Sequence, residues 1–324
     1  MDFIRSIIPQ FKDKQVLIIG DAMIDAYMWG RIHRMSPEAP VPVVDIEKRE
    51  SRLGGAANVA LNIQSLGAIP TLFSAIGNDH YGTVFCNLME NQKLNCNGIQ
   101  AVNNRNTTVK TRIISDDKHV LRVDEENTNP ITEPSICTEL VKLMSSQKFD
   151  VIIFEDYNKG LLTEELISTA IKTAQTLKIP TIVDPKKDNF FAYKGVDIFK
   201  PNLKEIKEGL GIDFDVLSEE ELSKNVELVR EKLHAKGVLL TLSEHGIYFK
   251  NKSNIYKESA HKRTIVDVSG AGDTVVSVAA LALACNCNKH DLMRIANLAG
   301  GLVCEKVGVV PIQIEDLLNS TKLK

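Results

Sequence analysis

The sequence predicts an α/β fold with a mostly parallel central sheet, helices on both of its faces and a small β-strand lid. Short apolar runs recur along the chain with helix-like segments between them, and this alternation implies a parallel sheet that is covered on both faces. Two segments, at about 40–50 and 107–124, break the alternation and are predicted to form the lid. Because no linker, repeat or low-complexity tract interrupts the 324 residues, we expect a single domain over 1–324.

Four apolar runs are predicted to be buried strands, and one intervening segment has a clear helical pattern. The runs are 16–19, 151–154, 181–183 and 237–241. The helical segment is 161–177, with Thr163 as its N-cap and Glu164 and Glu165 in its first turn. Ligands bind beyond the carboxyl ends of such strands, so the residues that follow each run are candidates for a binding site.

The two lid segments have strand character outside any strand–helix–strand unit. The first is the run 40–47. The second is predicted to be a hairpin over 107–124, with a polar turn that contains Asp116 and Asp117. The apolar and basic residues of the lid could cover a bound substrate or pack on a second subunit.

Composition and charge exclude several classes of protein. The chain is 44% hydrophobic and 25% charged, with a formal net charge of -3, so it lacks the basic excess of a nucleic-acid-binding protein. It has no apolar run near the roughly 18 residues that suggest a membrane span, and its first residues do not form a secretory leader. We therefore expect a cytoplasmic protein. The six cysteines form no CxxC pair and are interpreted as reduced structural thiols.

The segment 268–274 carries the strongest chemical signal. Gly270, Ala271 and Gly272 leave backbone N–H groups unobstructed just before a helix of small residues. The first N–H groups of a helix are unpaired and its dipole is positive there, which makes a pocket for an anion. Asp273 adds a carboxylate, and an anion site with a base beside it suits phosphoryl transfer to a hydroxyl. The alternative is a plain glycine-rich turn.

Two further segments are candidates for contacts with a sugar. Gly54 and Gly55 precede a predicted helix that runs to about residue 66, and Asn58 in its first turn can both donate and accept hydrogen bonds. Asp25 follows the first strand and could accept hydrogen bonds from polyol hydroxyls. The alternatives are a packing turn with an amide cap for the first segment, and a solvated or capping acid for Asp25.

Asn202 and Glu205 are spaced for one face of a helical turn. An amide and a carboxylate in this arrangement suit water-mediated binding of Mg²⁺ near phosphates, because Mg²⁺ usually keeps several of its waters. Taken alone, the pair is better explained as a helix start, with Asn202 as the cap and Glu205 as its capping-box partner.

Several cations are candidates for binding a phosphate. Lys159 and Lys186 each follow a predicted strand, at the ligand-binding edge of the sheet. They could bind a phosphate of the substrate or the phosphoryl group in transit. Arg112 and Arg122 in the lid hairpin are further candidates. For each of the four, the alternative is an ordinary solvated side chain.

Together these segments resemble the ribokinase-like (PfkB) carbohydrate kinases over essentially the whole chain. The stretch 54–58 is similar to the family's N-terminal glycine signature, and 267–273 is similar to its C-terminal signature DTxGAGD, with Val268 in place of the usual Thr. The stretch 201–205 is similar to the family's NxxE element. The resemblance implies a ribokinase-like fold and a sugar kinase that uses ATP and Mg²⁺, and it leaves a monovalent-cation requirement open.

The resemblance also implies roles for individual residues. Asp273 would take the proton of the acceptor hydroxyl, while the N–H groups of Ala271 and Gly272 would stabilise the transferring phosphoryl group. Contacts with the nucleotide are implied for Asn202, Ser243, Gly246 and Asn297. A homodimer that pairs through the lid strands is implied as well.

Within the family, the sequence most resembles the D-glycero-β-D-manno-heptose-7-phosphate kinases of ADP-heptose synthesis, which supplies the lipopolysaccharide core. The stretches that carry this resemblance are 36–44, 107–112, 121–124, 156–160, 184–186 and 241–246. They imply phosphorylation of O1 of heptose 7-phosphate to the 1,7-bisphosphate. None of the seven histidines lies in an HxGH motif, so we expect no nucleotidyltransferase domain, and adenylyl transfer would need a separate protein.

Other functions stay open on the sequence alone. One is a kinase of the same fold that acts on another sugar, a sugar acid or a nucleoside. A second, of a different class, is a non-catalytic sugar- or nucleotide-binding protein. A dinucleotide-dependent oxidoreductase is disfavoured because the G-x-G-x-x-G spacing is absent.

Overall fold

The computed structural model of the protein describes residues 2–116, 118–261 and 263–320. Asp117, part of the polar turn predicted for the lid hairpin, lies outside these residues. Within them the chain forms thirteen strands: β1 (Gln15–Gly20), β2 (Ala22–Met35), β3 (Pro42–Gly55), β4 (Ile69–Gly77), β5 (Ile99–Val102), β6 (Val109–Ser115), β7 (Lys118–Glu125), β8 (Val151–Glu155), β9 (Thr181–Asp184), β10 (Ile198–Phe199), β11 (Gly237–Thr241), β12 (Ile247–Asn251) and β13 (Ile255–Glu258).

The same residues form ten α-helices and two short 3₁₀ turns. The helices are α1 (Asp2–Ile7), α2 (Ala56–Ser65), α3 (His80–Asn91), α4 (Pro134–Ser146), α5 (Glu164–Leu177), α6 (Leu203–Leu210), α7 (Glu219–Leu233), α8 (Ala271–Ala284), α9 (Lys289–Val303) and α10 (Ile314–Ser320). The 3₁₀ turns are Ile8–Phe11 and Ser243–His245. No helix of these ranges combines the length and the apolar character needed to cross a bilayer.

The central sheet has nine strands in the order β13-β12-β11-β10-β9-β8-β1-β4-β5. Neighbours from β11 to β5 pair in parallel, and β12 and β13 add an antiparallel edge. The mostly parallel sheet predicted from the sequence is therefore confirmed. All four predicted strands, 16–19, 151–154, 181–183 and 237–241, lie in it.

Helices cover both faces of this sheet. In β8, Val151 and Ile153 point into a core shared with α2, α8 and α9, whereas Ile152 and Phe154 point into a core shared with α4, α5 and α7. This alternation is the two-residue period of a strand that is buried on both faces. The predicted N-cap of α5 is also confirmed, because the Thr163 hydroxyl accepts the Leu166 N–H at 3.2 Å.

The predicted lid is a separate four-stranded sheet in the order β3-β2-β6-β7. The hairpin predicted over 107–124 corresponds to β6 and β7, which pair antiparallel. The strand β2 was not predicted from the sequence; it begins one residue after β1 and pairs with both β3 and β6. The first residues of β2 are buried in the main core and its last five are exposed, so no single pattern of burial runs through the strand.

Candidate active site

Three segments meet at the carboxyl ends of the central strands. The starts of α2 and α8 lie side by side, since these helices pack against each other, and α8 also packs over β8 and β9. The loop that follows β8 brings Tyr157 to the same place. Sequence positions near 58, 157 and 273 therefore form one site.

Asp273 is the residue on which these segments converge. Its Oδ2 accepts a hydrogen bond from Asn58 Nδ2 at 2.5 Å, and its Oδ1 accepts one from the Tyr157 hydroxyl at 2.9 Å. Burial raises the pKa of Asp273, and Asp184 raises it further, while the bonds from Asn58 and Tyr157 act in the opposite direction. The site therefore holds an oriented carboxylate whose affinity for a proton is raised, as a general base requires.

The start of α8 lies beside this carboxylate and has no side-chain cap. Gly270 has φ +79°, a left-handed conformation that favours glycine. Thr274 N–H donates the first intrahelical bond, to the Gly270 carbonyl at 3.0 Å, so the amides before it have no partner within the helix. Ala271 N–H also donates to Val268 O, at 3.3 Å. Of the two amides predicted to bind the phosphoryl group, that of Gly272 is therefore more available for a hydrogen bond to a ligand.

Asp21 holds the loop that carries Tyr157. Its buried carboxylate accepts N–H groups from Tyr157, Lys159 and Leu161 at 2.9, 3.0 and 3.2 Å. Three such bonds fix the path of the chain between β8 and α5, and with it the position of the Tyr157 hydroxyl. Sequence reasoning did not single out Asp21 or Tyr157 for these roles, because both depend on pairing between β1 and β8.

A row of buried charges lies beneath the start of α8. Glu155, Asp184 and Lys200 are 1%, 4% and 2% exposed. Lys200 Nζ lies 2.9 Å from Asp184 Oδ2, and that oxygen is 3.6 Å from where a side chain on Gly272 would begin. The row was missed from the sequence, since Glu155 and Lys200 each follow an apolar run without any motif of their own.

Lys186 belongs to this buried cluster. Its Nζ lies 2.5 Å from Glu205 Oε1 and 3.8 Å from Asp184 Oδ1. Burial would lower the pKa of Lys186, but Asp184 and Glu205 outweigh it and raise that pKa above its usual value. The lysine is therefore charged, and its contact with Asp184 joins it to the row of charges beneath the start of α8.

Asn202 and Glu205 form the capping box that was the simpler interpretation of their spacing. Asn202 Oδ1 accepts the Glu205 N–H at 2.9 Å, and Glu205 Oε2 accepts the Asn202 N–H at 2.8 Å. Burial raises the pKa of Glu205. Because Lys186 takes the other carboxylate oxygen, the pair would reach a metal ion only through its remaining lone pairs and water.

On the lid side, Asp25 and Gly54 define a tight corner. Asp25 Oδ1 lies 2.5 Å from Arg112 Nη1, and a Cβ on Gly54 would lie only 2.4 Å from Asp25 Oδ2. Glycine is needed at 54 for this close approach. Asp25, which follows the first strand as the sequence indicated, lies within β2 and pairs with Lys110 of β6. The structure thus joins Asp25, Arg112 and Gly54 in one corner.

Lys159 makes its contacts with the lid. Its Nζ lies 2.8 Å from Glu126 Oε2, which is also 3.2 Å from Lys110 Nζ. Lys110 in turn lies 3.1 Å from Asp124, the partner of the exposed Arg122. Lys159 and Lys186, predicted as a pair of strand-end cations, therefore belong to two different ionic clusters.

Three further residues were predicted to contact the nucleotide, and all of them follow β11 in the sequence. Ser243 is exposed and starts the 3₁₀ turn. Gly246 packs against the backbone of 258–260, and Asn297 on α9 donates to the Ser259 carbonyl at 3.0 Å. Gly246 and Asn297 are thus connected through one segment of backbone.

Comparison with known proteins identifies the family. Residues 13–315 match the sequence profile of the pfkB family carbohydrate kinases. The chain belongs to this family.

Curated relatives are similar to this chain over nearly its whole length. The bifunctional protein HldE of Syntrophotalea carbinolica is 36% identical over 318 residues, which are 97% of this chain and 64% of the relative. The HldE of Aliarcobacter butzleri is 37% identical over 309 residues, which are 94% of this chain and 64% of the relative. The chain spans just under two thirds of the length of these relatives.

Solved structures confirm the predicted ribokinase-like fold. The ribokinase of Arabidopsis thaliana, complexed with ribose and ATP, matches with a TM-score of 0.76 at 17% identity and covers 96% of this chain and 100% of that chain. Phosphofructokinase-2 from Escherichia coli, in complex with fructose-6-phosphate, matches with a TM-score of 0.74 at 18% identity, over 95% and 97% of the two chains.

Proposed function

We propose that this pfkB family kinase transfers the γ-phosphoryl group of ATP to O1 of D-glycero-D-manno-heptose 7-phosphate, with Asp273 as the general base. The observation that carries the proposal is the environment of Asp273. Its two oxygens are held by Asn58 and Tyr157 at 2.5 and 2.9 Å, next to the uncapped start of α8. A fixed base beside free amides provides both parts of phosphoryl transfer, proton removal and charge stabilisation.

The proposed reaction uses these groups as follows. The acceptor hydroxyl loses its proton to the Asp273 carboxylate as its oxygen bonds to the γ-phosphorus. The bond between that phosphorus and the β–γ bridging oxygen breaks, and ADP leaves. The Gly272 N–H and the dipole of α8 stabilise charge on the oxygens in transit, and Lys186 supplies a cation beside them. Closure of the lid would exclude water and limit hydrolysis of ATP.

Mg²⁺ fits the oxygen donors on the sheet side of this site. Asn202 and Glu205 would orient it through water, since their own hydrogen bonds occupy one lone pair on each oxygen. When bound, Mg²⁺ neutralises charge on the phosphates of the nucleotide. Ser243, Gly246, Asn202 and Asn297 are proposed to lie along the nucleotide.

The residues that we propose to bind the acceptor lie on the lid side of the site. Asp25, Gly54, Gly55 and Asn58 would bind sugar hydroxyls, and Lys159, with Arg112 and Arg122, would bind the 7-phosphate. Two observations support a phosphorylated acceptor: Lys159 is held toward the lid by Glu126 at 2.8 Å, and the relatives at 36% and 37% identity are HldE proteins. The product would then serve a nucleotidyltransferase. Another sugar, a sugar acid or a nucleoside remains the second candidate acceptor.

An acceptor screen tests the proposal. Release of ADP is measured with heptose 7-phosphate, heptose, fructose 6-phosphate, ribose and adenosine at equal concentration, in K⁺ and in tetramethylammonium buffer. We expect the highest kcat/KM with heptose 7-phosphate. A higher value with an unphosphorylated sugar would contradict the proposed acceptor, and no ADP release with any acceptor would favour a binding protein.

The proposed phosphate contact has its own test. Lys159→Met should raise KM for heptose 7-phosphate by about 10-fold or more, as expected for loss of a charge-assisted hydrogen bond. KM for unphosphorylated heptose should change little. Lys142→Met, an exposed lysine on α4, is the matched control. An equal rise of KM for both sugars would show that Lys159 does not bind the phosphate.

A further inference from the structure

Glu126 lies between two lysines that come from different parts of the fold. Its Oε2 is 2.8 Å from Lys159 Nζ and 3.2 Å from Lys110 Nζ. Lys110 belongs to β6 of the lid, and Lys159 follows β8 in the loop that carries Tyr157. A carboxylate oxygen that accepts from two ammonium groups makes the same contacts that a bound anion would make.

The strand register places these charges on the acceptor side of the site. Lys110 pairs with Asp25 of β2 on one side and with Asp124 of β7 on the other. Side chains of paired residues lie on the same face of a sheet, and Lys110 Nζ is 3.1 Å from Asp124 Oδ2. Lys110 therefore lies on the face of the lid that carries Asp25, one of the proposed contacts with the sugar hydroxyls.

Glu126 is more easily displaced than either of its two lysine partners. Its side chain is 25% exposed, against 15% for Lys110 and 14% for Lys159. It follows the last residue of β7, in a segment without helix or strand that runs to the start of α4. Lys110 lies within a paired strand, and the Lys159 N–H donates to Asp21 at 3.0 Å. A competing anion would therefore displace the glutamate and leave both lysines in place.

The charges around Glu126 favour an anion in its place. Burial would raise the pKa of Glu126, but the hydrogen bonds and charges of Lys159 and Lys110 outweigh it and lower that pKa, so the carboxyl group is ionised. The ionic cluster joins three cations and two acids, namely Lys110, Lys159, Arg122, Asp124 and Glu126. Departure of the glutamate would increase its excess of positive charge.

We propose that Glu126 is an internal competitor for the phosphate of the acceptor, which must displace its carboxylate from between Lys110 and Lys159 in order to bind. A phosphate monoester carries more negative charge than a carboxylate and presents more oxygen acceptors, so it can displace the glutamate. This role rests on the proposed function, in which the acceptor phosphate binds at Lys159.

An internal competitor lowers the affinity for every anion by one common factor, because only molecules in which the glutamate has moved away can bind. A free phosphate ion has no other contacts to offset this loss, whereas a sugar phosphate adds the contacts of its hydroxyl groups. Glu126 would therefore keep inorganic phosphate out of the acceptor site and still admit the sugar phosphate.

Calorimetric titration of the full chain without nucleotide tests the proposal. The ligands are heptose 7-phosphate, inorganic phosphate and unphosphorylated heptose. We expect Glu126→Gln to bind both phosphates more tightly than wild type by one common factor of about tenfold, the size expected for one hydrogen bond to a charged group. The affinity for unphosphorylated heptose should stay the same. Glu125→Gln, at the exposed end of β7, is the matched control and should bind all three ligands as wild type does.

Three results would overturn the proposal. The first is unchanged or weaker binding of the phosphates by Glu126→Gln, which would mean that the glutamate only orients the lysines. The second is an equal gain for unphosphorylated heptose, and the third is no binding of either phosphate by wild type or variant. Glu126→Ser, which also lacks the charge, should repeat the gain, and melting temperatures check that both variants fold.

The titration involves no turnover, so its outcome is separate from that of the acceptor screen. Tighter binding of phosphate by Glu126→Gln, without ADP release from heptose 7-phosphate in wild type, would contradict the proposed kinase reaction alone. Turnover of heptose 7-phosphate, with the same dissociation constants in wild type and Glu126→Gln, would contradict the role of Glu126 alone.

Discussion

Asp273 shows how individual residues set the chemistry of the site. Burial raises its pKa, and the two donors Asn58 and Tyr157 lower it and fix the direction of the carboxylate. Each donor is itself held from elsewhere: Asn58 by the first turn of α2, and Tyr157 by the loop that Asp21 anchors. The strength and orientation of the base therefore depend on residues distant in the sequence.

Tyr157→Phe should move the acid limb of the kcat/KM profile to higher pH. The Tyr157 hydroxyl bond lowers the pKa of Asp273, so its loss raises that pKa, and the base becomes deprotonated only at higher pH. We expect a displacement of about one pH unit, measured by ADP release across pH. Tyr256→Phe, a tyrosine on β13, is the control. An acid limb that stays in place would show that Asp273 is not the titrating base.

At the scale of elements, helix starts supply both stability and ligand contacts. Thr163 caps α5 at 3.2 Å, and Asn202 caps α6 through a full capping box. Both caps satisfy backbone donors, but only Asn202 lies beside the proposed nucleotide site. A comparison of the two caps therefore distinguishes the effect of an N-cap on stability from the proposed effect of Asn202 on nucleotide binding.

Thr163→Ala and Asn202→Ala should each lower the free energy of unfolding by about 1 kcal/mol, the usual cost of losing an N-cap. Urea unfolding measures this. Asn202→Ala should in addition raise KM for MgATP several-fold, whereas Thr163→Ala should leave it unchanged. If both variants have the wild-type KM, Asn202 is only a cap and its proposed contact with the nucleotide is wrong.

Sequence patterns predicted the elements whose signal is local. The strand 16–19, the cap at Thr163 and the turn at Gly270 all depend on neighbouring residues, and the structure contains each of them. The strand β2 was missed because its burial changes from core to solvent along its length. Tyr157, Glu155 and Lys200 were missed because their roles arise only when β1, β8, β9 and β10 align.

At the scale of the whole molecule, the lid presents apolar side chains to solvent. Met35, Val41 and Leu121 are 55%, 51% and 56% exposed, and Val123 is also exposed. We propose that a second copy of the chain covers this sheet, as the resemblance to the family implied. Apolar patches of this kind commonly mark interfaces between proteins.

Leu121→Lys should therefore produce a monomer. A charge placed on the covered sheet would be buried without a partner in a dimer. Light scattering coupled to size-exclusion chromatography measures the mass, which should be that of a dimer for wild type. Leu217→Lys, a 67% exposed leucine in the loop before α7, should remain dimeric. A monomeric wild type, or a dimeric Leu121→Lys, would rule out pairing through the lid.

The most direct test of the central claim is the kinetics of Asp273→Asn, compared with Asp291→Asn. Both aspartates are the third residue of their helices, α8 and α9, but only Asp273 lies in the site. We predict that Asp273→Asn lowers kcat on the order of 10²–10⁴-fold while calorimetry shows nearly unchanged ATP binding, and that Asp291→Asn keeps wild-type kcat. A near-normal kcat in Asp273→Asn would contradict the assignment of the phosphoryl-transfer centre.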